Sequence, residues 1–127
     1  MITATDIANL LYRRCLPMGI ETYQFGNIPR GEITAPRVTI HVKAVSPQIY
    51  WRKGFAEVNV SVPDIEDRAD LISLQGFEKQ CYEILEYVEE FDDNVVRFSI
   101  SSTEVLEDVQ FRCHFVNARV QYEILNV

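Results

Sequence analysis

Four stretches of this chain alternate with a period of two, and that repeat limits the fold more than any other feature. From Arg37 to Val45, Val38, Ile40, Val42 and Ala44 alternate with Arg37, Thr39, His41 and Lys43. From Phe55 to Val62, Ala56, Val58, Val60 and Val62 alternate with Glu57, Asn59 and Ser61. Val96, Phe98 and Ile100 alternate with Arg97 and Ser99. The last stretch runs through Val109, Phe111, Cys113 and Phe115, then through Ala118, Val120, Tyr122 and Ile124. Successive side chains of a strand point to opposite faces, so each stretch predicts a strand with one face buried and one in water. The change of phase at Phe115-Val116, with no Gly or Pro beside it, predicts a β-bulge within one long final strand.

One-sided strands need a cover, and two segments with helical spacing supply it. Between Thr3 and Cys15, Ile7, Leu10 and Leu11 fall on one helix face, with Thr3 or Thr5 as N-cap and Asp6 in the first turn. Pro17 and Gly19 stop that helix, and Gly19 to Phe25 can then run extended. After Pro63-Asp64, an acidic start at Asp64, Asp67 or Asp70 opens a second helix predicted to reach about Phe91. Its apolar stripe is Leu71, Leu74, Phe77, Cys81, Ile84, Leu85 and Val88, with glutamates over much of the remainder. Asp92-Asp93-Asn94 reads as a turn, and Glu104, Glu107 and Asp108 as a loop between strands. The strands 37–45 and 55–62 are expected to form a hairpin with a long connection. The predicted fold is therefore α+β, a mainly antiparallel sheet with two helices packed on one face, in the order α-β-β-β-α-β-β. Its 127 residues make one domain, 1–127, around one core.

Composition removes several function classes. With 47% hydrophobic and 24% charged residues, the chain has enough apolar surface to offset chain entropy and is not disordered. No apolar run approaches the roughly 20 residues that span a bilayer, and Met1 to Asp6 lacks the basic start of a signal peptide. A protein made in the cytoplasm, with no membrane partner, is expected. The formal charge of −7 opposes general binding to phosphate backbones. Cys15, Cys81 and Cys113 are odd in number and widely spaced, which predicts buried reduced thiols and no disulfide framework or metal knuckle.

Residues able to carry chemistry are few. His41 and His114 fall on the polar faces of their strands and would become neighbours if those strands pair. They read either as a general base or half a metal site, or as solvent-facing strand residues. Glu89-Glu90 with Asp92-Asp93 could hold a cation or act as an acid/base pair, but EF-hand spacing is absent and a solvated acidic face explains them as well. There is no GxSxG, P-loop, GxGxxG or HExxH, and Ser99, Ser101 and Ser102 have no partner pattern. No catalytic residue, cofactor or metal is expected. The tip Tyr50-Trp51-Arg52-Lys53 combines aromatic and cationic side chains as interface anchors do; stacking on bases or folding back onto the domain are the other readings. The loop Asn27 to Glu32 reads as an assembly arm or as a plain surface loop.

The order of elements, with Pro36-Arg37-Val38-Thr39-Ile40-His41-Val42, then Gly54 to Pro63, then a helix and a terminal strand pair carrying Phe111 to Tyr122, resembles the tail-terminator and tail-completion (head-tail joining) proteins of tailed bacteriophages. The resemblance implies an α/β structural protein of the virion tail or neck. It implies a ring of identical copies, typically a hexamer, whose partners are the tail tube and head-tail connector. DNA would pass through the lumen without specific binding. A ring needs unlike patches that meet between neighbours. The expected contact surfaces are Tyr50, Trp51 and Arg52 in the loop, and one polar strand face bearing Arg112, His114, Arg119 and Gln121. The competing expectation is a small ligand- or peptide-binding or regulatory domain with a pocket lined by Tyr23, Phe98 and Tyr122. A further one is a hydrolase or nuclease using His41 and His114 with an acidic partner.

Overall fold

The computed structural model describes residues 2–43 and 51–126. Helix α1, Ala4–Cys15, is opened by a reciprocal cap: the Asp6 amide donates to Thr3 Oγ1 and the Thr3 amide donates to Asp6 Oδ2. Such a cap contributes about 1 kcal/mol. A short 3-10 turn, Leu16–Met18, ends at Gly19, whose φ of 75° lets the chain reverse into strand β1, Glu21–Gln24. Strands β2, Arg37–Val42, and β3, Trp51–Pro63, follow. Helix α2, Leu71–Ile84, starts at Asp70, whose carboxylate accepts from the Ser73 amide. Then come β4, Tyr87–Phe91, β5, Asn94–Asp108, and β6, Cys113–Asn126.

The class is α+β, with the helices and strands in the expected order. The six strands form one sheet in the order β1-β2-β3-β6-β5-β4, antiparallel except for the parallel pair β1–β2. The pattern α-β-β-β occurs twice, and the two halves meet along β3–β6. Both helices lie over one face. Ile7, Leu10 and Leu11 of α1, Leu74 and Cys81 of α2, and the inward residues of β2, β3, β5 and β6 form one buried cluster. The Arg14 side chain ties the helices together by donating to the Ile84 carbonyl at 2.7 Å, where a cation also meets the negative end of α2.

Three local expectations are corrected. The second helix does not reach Phe91; it ends at Ile84, and β4 takes the next residues. Tyr87 stacks on Phe98 across the β4–β5 pair, with ring centroids 4.6 Å apart, and this cross-strand contact replaces another helical turn. Val88, counted in the helical stripe, is exposed on β4, and Leu71 is exposed at the start of α2. The bulge lies in β5, between Ile100 and Ser102, while β6 runs against β3 without a break from Cys113 to Leu125. Ser101 is the extra residue, and its hydroxyl donates to the Arg119 carbonyl. Glu104, Glu107 and Asp108 belong to β5 and not to a loop.

Gly54, just before the expected strand 55–62, lies within β3 opposite Tyr122. A Cβ there would collide with the Tyr122 hydroxyl, so only glycine lets the buried ring cross the strand.

Candidate interaction surface

The connection between β1 and β2 passes over the sheet face that the helices leave bare. Between Ile28 to Ile33 and that face lies a groove of about 800 Å3. Its floor includes Asn59 and Phe115 from β3 and β6, and its rim carries Arg30, Arg37, Phe111 and Arg112. The sequence builds it locally. Ile33 in the connection is only 6% exposed, and Arg112 takes φ 50° in the turn between β5 and β6, where its carbonyl accepts from the Asp64 amide. The Asn117 side chain donates to Asn59 Oδ1 at 2.7 Å and fixes the floor.

Three guanidinium groups stand around this groove in a chain of net charge −7. None of the three is ion-paired among the described residues. Arg37 donates through Nη1 to the Pro29 carbonyl at a long 3.4 Å, while its Nε is buried and has no acceptor. A buried donor without an acceptor is costly, and a carboxylate is the group best shaped to satisfy a guanidinium fork. Of the two carboxylates on the wall, Asp108 accepts from the Phe111 amide within the turn, and Glu32 is exposed. At the same end, burial pushes the Cys113 thiol up to about 11.

A second surface is the sheet edge. Strand β4 covers β5 only from Asn94 to Phe98, so from Ser99 to Asp108 β5 has β6 as its one ladder partner among the described residues. Val105 and Leu106 are exposed on that stretch, and Val109 just beyond it is 75% exposed. The opposite edge is β1, a short strand held in parallel to β2.

The residues expected at interfaces divide between these places. Tyr50 lies outside the described residues, as do the side chains of Trp51 and Arg52; the backbone of the latter two opens β3. Arg119 and Gln121 do share the bare face, where Arg119 lies over the Phe55 ring at 4.1 Å. His114 does not share it. Because β6 carries no bulge, alternation sets His114 with Val116 and Ala118 on the helix side, where its Nδ1 pairs with Asp64 Oδ1 at 2.7 Å. Arg112 is in the turn beside the groove. The expected single polar face is thus split.

His41 and His114 do not become neighbours, since β3 lies between their strands; His41 is opposite Glu57 and His114 opposite Val62. His41 stacks on Phe25 instead, 4.1 Å between centroids. Among the described residues, no three His, Cys, Asp or Glu side chains are grouped to hold a metal ion. The expected pocket of Tyr23, Phe98 and Tyr122 is not formed among the described residues: Phe98 and Tyr122 are core residues, and Tyr23 faces outward and donates to Glu21. No helix among the described residues is long and apolar enough to cross a membrane.

No family model matches this sequence, and no curated protein matches it. Chains of solved structures do. One, 14% identical, superimposes with a TM-score of 0.62 over 98% of this chain and 95% of its own, and its name gives no function. At that identity the likeness shows a shared α+β fold.

Proposed function

We propose that this chain is a structural subunit that assembles through unlike surfaces into a ring, caps the tail tube of a tailed bacteriophage and joins it to the head. The observation that carries the ring is the open sheet with two dissimilar edges. One edge is the short parallel strand β1, and the other is the long outer side of β5 with exposed Val105 and Leu106. An unpaired edge is a template for another chain. Contacts between unlike patches build rings when the rotation closes, whereas like-with-like contacts stop at a pair. The tail and neck assignment follows the resemblance in element order. The acidic surface suits a lumen through which DNA slides, because it offers phosphates little attraction. No catalytic step, cofactor or metal belongs to this reading.

Native mass spectrometry across protein concentration tests it. A defined high-order species, a hexamer, is expected, and Leu106→Lys at the β5 edge should shift it toward monomer. A chain that stays monomeric at every concentration, alone and with isolated tail tubes, would remove the ring. Trp51→Ala is expected to weaken the same species; unchanged mass would take the start of β3 out of the contact.

The groove supports a second reading, a small binding domain for an anionic ligand or peptide. Citrate or an acidic peptide raising the thermal midpoint of a monomeric protein would favour it.

A further inference from the structure

The arginine groove is at one end of β5 and the most acidic turn of the chain is at the other. β4 and β5 are joined by Asp92-Asp93, both with positive φ, and Glu90 and Asp93 on this hairpin are exposed and carry no ion pair among the described residues. Asn94 opens β5 beside this tip, and Asp108 closes it on the groove wall. At roughly 3.3 Å per residue the strand holds the two ends on the order of 45 Å apart. The tip therefore never reaches the groove of its own chain.

We infer that the β4–β5 tip of one copy, through Glu90 and Asp93, seats in the groove of a second copy bounded by Arg30, Arg37 and Arg112. Charge complementarity selects this occupant. The groove concentrates guanidinium groups in a chain that is otherwise strongly acidic, and the tip presents carboxylates on a narrow turn. A tip carboxylate entering the groove meets the exposed guanidinium groups of Arg30 and Arg112, neither of them ion-paired among the described residues. Phe111 and Phe115 give the methylene stems an apolar wall. The contact joins unlike patches and leaves one free tip and one free groove on every pair, so it propagates until it closes. This inference rests on the ring reading only for that closure.

Two variants remove the charges without straining the backbone. Arg112, at φ 50°, and Asp93, at φ 61°, both occupy the left-handed region, where glycine is at ease. Arg112→Gly disables the groove, and Asp93→Gly with Glu90→Gln disables the tip. Each variant alone should associate at least about tenfold more weakly than wild type, as expected for truncating one side of an interfacial charge pair. An equimolar mixture should restore a one-to-one pair and nothing larger, because it contains one intact groove facing one intact tip. Sedimentation velocity and native mass spectrometry read both results.

If the wild type forms rings and both variants form the same rings, the docking is wrong and the ring reading stands. If the wild type forms pairs or open chains that the variants abolish, the docking holds and the ring reading falls. A wild type that never associates overturns both. If citrate or inorganic phosphate stabilises wild type and not Arg112→Gly while association is unchanged, the groove takes a small anion and the inference is overturned.

Discussion

The two faces of the β3–β6 seam differ in what holds them. On the helix side Ala56, Val58, Val60 and Val62 meet Val116, Ala118, Val120 and Tyr122, all buried. On the bare side the same strands carry Asn59 bonded to Asn117, Arg119 over Phe55, and Glu123 ion-paired with Arg97. Apolar area removed from water stabilises in proportion to its extent, whereas polar pairs in contact with water return little beyond what solvent already gave. Stability should therefore reside on one face, leaving the other free to change at little cost.

Alkali should break the covered side most strongly. Burial raises the Cys15 and Cys81 thiols from 9.0 to about 12. The folded state keeps these protons when the unfolded chain has lost them. Their contribution is complete below pH 9 and is lost as pH rises from 9 toward 12, on the order of 4 kcal/mol per thiol at the limit. Urea unfolding at rising pH, compared with Cys15→Ala and Cys81→Ala proteins, isolates this part; equal slopes in all three would refute it. Gly54→Ala comes next, at about 3 kcal/mol, because it forces a methyl into the Tyr122 ring. Val120→Ala on the same face should cost about 2 kcal/mol through lost burial and the cavity left behind.

The bare side should respond less. Asn117→Ala removes the half-buried bond to Asn59 and is expected to cost about 1 kcal/mol. Arg97→Ala, in an ion pair whose arginine is 55% exposed, should cost no more than about 0.5 kcal/mol. Denaturant midpoints rank all four variants. An Arg97→Ala protein less stable than Val120→Ala would invert the contrast between the faces.

What the sequence disclosed follows this division. Strands with one wet face announced themselves through alternation, and both caps, Thr3 and Asp70, were among the candidates because their side chains act on amides three residues away. The boundary between α2 and β4 was hidden. Leu85 and Val88 continue a helical spacing, and only the distant partner Phe98 decides for a strand. The bulge was misplaced for a related reason. Cys113 and Phe115 are apolar on the bare face, at the end that the β1–β2 connection roofs, so their burial mimicked a change of phase. That error put His114 on the wrong side. The groove was legible only in part: Asn27 to Glu32 stood out as a loop, but nothing local brings Arg30, Arg37 and Arg112 together.

The repeated α-β-β-β order has a kinetic consequence. Strands β1 to β3 find their partners within the first half of the chain, and β4 to β6 within the second; among the strand pairs of the described residues, only β3–β6 spans both halves. Non-local pairing is slow because loop entropy is lost before contacts return it. Each half can gather its own strands early, and folding then waits for the halves to collide in register along thirteen rungs, from Trp51 with Leu125 to Pro63 with Cys113. That single encounter carries the largest loop-closure cost of any strand pairing in the sheet, so it is expected to set the folding rate.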